Sequence, residues 1–216
     1  MKTSCRILVW VMTAAAFTIA PILSRAGTVV GTKHDLSGNG WGTNEICIFC
    51  HTPHNAKSPQ LAPLWNHAST TANYTLYSSP TMDRTPLQPR DRSKTCLSCH
   101  DGTVAIDSYG SRTGTNLMPG TPGTSGSPNL GTNLSDDHPV SVQWSHQTCT
   151  SGSQQCCTLE CHTSIDPDGM PFYGTSGNRY LECATCHEPH NKYDANPKML
   201  RRPLANSEIC LTCHGK

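Results

Sequence analysis

Cys183-Ala184-Thr185-Cys186-His187-Glu188-Pro189-His190-Asn191, followed by Cys210-Leu211-Thr212-Cys213-His214, is the stretch whose reading decides the fold. The pentapeptide Cys-x-x-Cys-His occurs twice in it. It occurs twice more upstream, as Cys47-Ile48-Phe49-Cys50-His51 and Cys96-Leu97-Ser98-Cys99-His100. With this content of Cys and His, chance supplies on the order of 0.05 copies. Each copy reads as a covalent attachment site for c-type haem: two thiols add to the porphyrin vinyl groups, and the adjacent His ligates the iron. Attachment is therefore assigned to Cys47, Cys50, Cys96, Cys99, Cys183, Cys186, Cys210 and Cys213, and iron ligation to His51, His100, His187 and His214.

Three other chemistries use paired cysteines, and each leaves something unexplained. Structural zinc takes Cys-x-x-Cys pairs but does not require a His directly after every second Cys. Thioredoxin-like chemistry needs one such motif inside a βαβ pattern, and no such pattern is visible. A disulfide framework suits an exported chain but gives the histidines no role.

The N-terminus points to export. Lys2 and Arg6 precede an apolar run from Ile7 to Leu23, and Ser24-Arg25-Ala26 is a small-x-small cleavage signal. Residues 1–26 read as a secretory signal peptide. The mature chain is expected in the periplasm or outside the cell, with no integral membrane segment, since no other apolar run approaches spanning length. Loss of Lys2, Arg6 and Arg25 takes the 16 basic residues to 13 against 15 acidic ones, a polypeptide near −2. A ferric bis-His haem with ionised propionates adds about −1, so nucleic acid is excluded as a partner.

Composition argues for a core made of cofactor. Only 35% of residues are apolar and 6% aromatic, while Gly (17) and Pro (16) are abundant. Residues 110–133 are mostly Gly, Ser, Thr, Pro and Asn and read as loop. Such a chain alone would be largely disordered. Around buried porphyrins it becomes a wrapping, expected to be mostly coil with short α-helices and little β-structure. Ser93-Lys94-Thr95 is expected to cap a helical turn through Cys96–His100 that Gly102 ends. Asn206-Ser207-Glu208 leads into Cys210–His214, ended by Gly215. A helical turn brings the two motif cysteines to one face.

The chain also repeats itself. One half holds His34-Asp35-Leu36-Ser37, the first motif extended by Thr52-Pro53-His54-Asn55, and the second motif. The other holds Asp137-His138-Pro139-Val140-Ser141, the third motif extended by Glu188-Pro189-His190-Asn191, and the fourth motif. Each half supplies two motifs and two further histidines, enough for two bis-His haems. The organisation expected is a first di-haem unit over 27–144, a Cys-rich insertion over 145–175, and a second motif pair over 176–216 that draws on His138. His34, His54, His138 and His190 are the expected distal ligands. Axial nitrogens on one iron lie on opposite faces, about 4 Å apart. His51 and His54, on one short turn, cannot reach both faces of one haem, so His54 and His190 are expected to serve neighbouring haems. His67 and His146 fall outside the repeat and read as ordinary core or surface residues.

These strings resemble the doubled-CXXCH-motif multihaem cytochromes, grouped loosely with the cytochrome c3-like proteins. The likeness rests on Cys-x-x-Cys-His-x-Pro-His-Asn, on 96–105, on 129–141 and on 209–214. It covers most of 28–141 and 180–216. The resemblance implies stacked low-spin bis-His haems of low potential that carry electrons to redox-partner proteins, other cytochromes or copies of the same chain. It also implies, for some members, polymerisation into extracellular filaments in which one subunit's His ligates a neighbour's haem. Residues 145–175 depart from it. Cys157-x-x-x-Cys161-His162 is a stretched attachment motif that accommodates a fifth haem. His146 or His67 would then be its distal ligand, with a Cys149–Cys156 disulfide alongside. The alternative is two disulfides stapling a loop. Four haem c groups are thus expected, with a fifth left open. Saturated iron argues for an electron carrier with no catalytic residues; a multihaem reductase with one open site is the alternative enzyme reading.

Overall fold

A computed structural model describes residues 27–57, 62–82, 84–144, 169–175, 178–193 and 196–214. The expected signal peptide, His146, Gly215 and the cluster Cys149, Cys156, Cys157, Cys161 and His162 lie outside the described residues.

Regular structure is sparse and gathers around the motifs. Helix α1 (Asp91–His100) carries the second motif, α2 (Cys183–Cys186) the third and α3 (Glu208–Leu211) the start of the fourth. The first motif lies on a 3-10 turn, Ile46–Phe49. The His amide donates back to the carbonyl of the first Cys in the first, third and fourth motifs, at 2.8, 2.9 and 2.8 Å. The same helical turn is therefore built repeatedly, whatever the assigned helix length.

Inside each turn at least one of the two intervening residues is buried. Phe49 and Leu97 are each 1% exposed, and Ser98 and Thr185 are fully buried. Leu97 joins Tyr74 and Leu134 in an apolar cluster edged by Ala72, Leu76 and Leu130. Phe49 packs edge-on against Tyr109, ring centres 4.8 Å apart, and against Trp41 at 6.2 Å. The inward residues anchor the turn and leave the cysteines on another side of it.

Two small sheets complete the frame. Strands β1 (Thr75–Leu76) and β2 (Asn133–Leu134) pair in parallel. Strands β3 (Val142–Trp144), β4 (Tyr173–Thr175) and β5 (Asn178–Leu181) form an antiparallel sheet in the order β3-β5-β4. The sheet of three was not foreseen from sequence. Its strands are too short for a visible alternation, and it is stabilised by Trp144 on Phe172 (4.5 Å) and the Arg90 guanidinium over Tyr180 (4.3 Å). The last three residues of the expected insertion, Tyr173–Thr175, belong to this sheet.

The helix punctuation departs from expectation at its start. Helix α1 begins at Asp91, not beside Ser93, and Ser93 lies buried within it. The Ser93 hydroxyl instead accepts the Cys183 amide at 2.9 Å, joining α1 to α2. At the other end Gly102 takes φ 71°, the left-handed step expected of it. Ser207 precedes α3 without a side-chain cap.

Candidate haem-attachment site

The structure brings histidines together in three facing pairs. His34 and His100 have ring centres 6.1 Å apart, His51 and His190 6.2 Å, and His138 and His214 6.3 Å. Each pair joins one motif His to one His from the repeat. With metal–nitrogen bonds of about 2 Å and each nitrogen about 1.1 Å from its ring centre, two axial imidazoles on one iron stand about 6.2 Å apart. The observed spacings match that figure, so the side chains present fit a bis-His haem.

The ring nitrogens are arranged for the same chemistry. His51 Nδ1–H donates to Pro63 O (2.7 Å), His100 Nδ1–H to Pro128 O (2.7 Å) and His187 Nδ1–H to Lys198 O (2.9 Å). On the opposite members, His34 Nδ1 faces Pro189 O (3.4 Å), His138 Nδ1 faces Pro139 O (3.0 Å) and His190 Nδ1 faces Glu188 Oε1 (3.0 Å). An Nδ1 proton held by an oxygen fixes the tautomer and leaves Nε2 as the metal-binding nitrogen. Burial, then the nearby His100, hold His34 below the ordinary imidazole range. Burial does the same for His100 and His138. The neutral ring is the ligating form.

His67 is arranged differently. It is 1% exposed, with Nδ1 on Ala68 O (2.7 Å) and Nε2 on Ala105 O (3.1 Å) and Ile106 O (3.2 Å). Both nitrogens are enclosed by main-chain oxygens, one of them as the neutral ring's donor, which makes it a packing residue beside the second motif, with Nε2 3.5 Å from Cys99 Sγ. His54 is exposed.

The thiols follow the order of the chain. Burial pushes Cys50 up to about 11, while burial and then the neighbouring Cys50 raise Cys99. A hydrogen bond joins Cys96 to Cys183, raising the first and lowering the second. Burial, then Cys213, push Cys186 up to about 11. First and second, second and third, and third and fourth motifs are thus neighbours in space. All eight described motif cysteines are free thiols.

Several supporting groups were not visible in sequence. The acceptors Pro63, Pro128 and Lys198 act through main-chain oxygens, lying 12, 28 and 11 residues from the histidines they hold. Pro128 comes from the region read as loop. That region is irregular but ordered: Asn129 donates to Met118 O and Gly120 O, and Asp107 accepts from Thr115 and Asn116. A buried polar hub was also missed. The Ser141 hydroxyl donates to Glu182 Oε2 at 3.0 Å, and Leu87 N–H donates to Ser141 O at 3.1 Å. The His51–His190 pair crosses between the two halves of the repeat.

Among the described residues, no helix is long and apolar enough to cross a membrane. No curated protein matches the chain. A family model described as the doubled CXXCH motif matches residues 177–216, the segment holding the third and fourth motifs. That motif occurs in multihaem cytochromes, and here it indicates covalent haem c and a cytochrome-like role in electron transfer.

Proposed function

We propose that this chain is an exported electron carrier holding four haem c groups, each ligated by two histidines. The observation that carries the reading is the set of three motif-to-repeat histidine pairs at 6.1 to 6.3 Å. Haem c, when bound, supplies one-electron exchange between ferric and ferrous iron. The chain's own part is to place two imidazoles at each site, set oxygens against the Nδ1 atoms of His34, His51, His100, His138, His187 and His190, and leave no position for substrate. Its consecutive motifs adjoin one another, as the Cys96–Cys183 hydrogen bond illustrates. Close spacing of that kind favours transfer along a series of centres. Partners are then redox proteins docking near exposed motif residues such as Cys47 and Cys210. His34 bears on the filament alternative. Its partner ring, His100, belongs to the same chain at 6.1 Å, which supports ligation within one molecule.

Intact mass of the secreted holoprotein, read beside its ferric electron paramagnetic resonance (EPR) spectrum, tests the proposal. Each haem adds about 616 Da. The expected result is a chain beginning at Gly27 with four haems, all low-spin. A fifth increment would assign the stretched motif at Cys157, Cys161 and His162. A mass without haem, or a high-spin ferric signal that takes up cyanide or nitrite readily, would overturn the carrier reading.

A further inference from the structure

We propose that the two Cys-x-x-Cys-His-x-Pro-His-Asn units trade distal ligands: His190 completes the site of His51, and His54 completes the site of His187. The inference rests on the bis-His reading above and specifies its wiring. One half of the exchange is present in the structure. His51 and His190 stand 6.2 Å apart with ring planes within 18°, although they belong to different repeats. His190 cannot instead serve the iron of His187, because both sit on one short turn and would approach the same face.

The other half follows from how closely the two units copy one another. His51 pairs with Trp65 in an isolated antiparallel bridge, and His187 pairs with Leu200 in the same way. Asn66 N–H donates to Cys50 O and Arg201 N–H to Cys186 O, both at 2.8 Å. Thr52 N–H reaches Leu64 O at 2.9 Å, and Glu188 N–H reaches Met199 O at 2.8 Å. Asn55 and Asn191 take the same left-handed step, φ 57° and 56°. Two like units in which the first receives the second's His satisfy both sites only if the exchange runs both ways; this is the isologous arrangement. Elimination agrees. Among the described histidines outside the motifs, His34, His138 and His190 are already paired, and His67 has both nitrogens on backbone oxygens. His54 is the one that remains for His187.

The exchange makes each unit's saturation depend on the other. The first motif's iron site is closed by a residue 139 positions away in sequence, counting from His51 to His190. The two halves of the chain are then joined through their metal sites as well as through Ser93 and Cys183.

Counting low-spin haems by ferric EPR in variants that keep every attachment cysteine tests the wiring. His51→Gly and His190→Gly should each remove one low-spin haem from the unaltered count. The double variant should still remove only one, because both residues face the same iron. His187→Gly with His54→Gly should behave likewise, whereas His51→Gly with His54→Gly should remove two. Additive loss in either proposed pair, or an unchanged low-spin count in His54→Gly, would overturn the exchange. If the glycine variants do not fold, Met at the same positions keeps a ligand, and the readout becomes the number of haems that show a sulfur–iron charge-transfer band: His187→Met with His54→Met should alter one haem, whereas His51→Met with His54→Met should alter two. Absence of low-spin haem from the unaltered protein would instead overturn the bis-His reading itself.

Discussion

At His34, His51, His100, His138 and His190 an oxygen lies on Nδ1 and Nε2 is left over, and the number of nitrogens so occupied separates ligands from packing residues. His51 and His100 give Nδ1 to one carbonyl each, both at 2.7 Å. His67 has main-chain oxygens at both nitrogens and is 1% exposed. His67→Ala should therefore cost stability, roughly 2–4 kcal/mol for a buried ring and its hydrogen bonds. It should leave the ferric low-spin spectrum unchanged, and chemical denaturation beside EPR checks both halves of the statement. Glu182 makes a second prediction at this scale. It is fully buried, and burial pushes its carboxyl up to about 7. The folded state thus binds a proton that the unfolded chain has released, so this contribution to stability is complete at low pH. It falls as pH rises from the ordinary carboxyl value of 4.5 to about 7 and is flat above that. The full loss is up to about 3 kcal/mol. Denaturation midpoints between pH 4.5 and 8 should show the decline, and Glu182→Gln should remove it.

At the scale of elements, the second motif depends on how α1 ends. Gly102 takes φ 71°, and a Cβ there would meet the Asn129 side chain at 2.8 Å. Asn129 orders the turn that presents Pro128 O to His100 and places Leu130 N–H on His100 O at 2.7 Å. Gly102→Ala therefore adds backbone strain of about 1 kcal/mol and loosens the His100 support at the same time. Its expected signature is a lowered denaturation midpoint with one haem shifted toward high spin at raised temperature. A midpoint unchanged from the parent would contradict it. Ser93→Ala acts on the other side of the same helix. It strips the Cys183 amide of its 2.9 Å acceptor, at a cost of about 1–3 kcal/mol for a buried donor left unpaired. Hydrogen exchange at the Cys183 amide would report it directly. These elements also show which parts of the fold were legible. The motif turns and the Gly102 stop are written in side chains at short spacing, where local geometry dictates the outcome; the repeat marks the distal histidines but not which motif each one faces. The clamps on Nδ1 are main-chain oxygens brought from 11 to 28 residues away, and any residue type supplies such a group. The β3-β5-β4 sheet is likewise set by tertiary packing, since strands of 3 or 4 residues carry no periodicity of their own. Ser141 and Glu182 were illegible for a related reason: their meaning lies in contact with each other across 41 residues.

Over the whole molecule, the balance between polypeptide and cofactor decides whether the chain folds. The apolar cluster is small: Tyr74, Leu97 and Leu134, edged by Ala72, Leu76 and Leu130. Around it, much of what is buried is polar, including Ser93, Ser98, Thr70, Ser141, Glu182 and Thr185, each at 0% exposure. Buried hydroxyls and carboxylates orient their neighbours, but each contributes little net stability once desolvation is counted. Ordering the backbone costs roughly 1–2 kcal/mol per residue, and only extensive apolar burial offsets it. The chain is short of that burial by itself, and each attached porphyrin would add a large apolar surface between the motif turns. A chain with all eight motif cysteines changed to Ser should therefore be exported without haem and should not fold cooperatively. Its far-UV circular dichroism should be coil-like with a gradual thermal change, and its amides should exchange quickly even in α1. The holoprotein should melt in a single sharp transition. A sharp transition in the haem-free chain would mean that the small apolar cluster and the Ser93–Cys183 and Ser141–Glu182 contacts suffice without the cofactor. The porphyrins would then be passengers on a preformed frame and not its core.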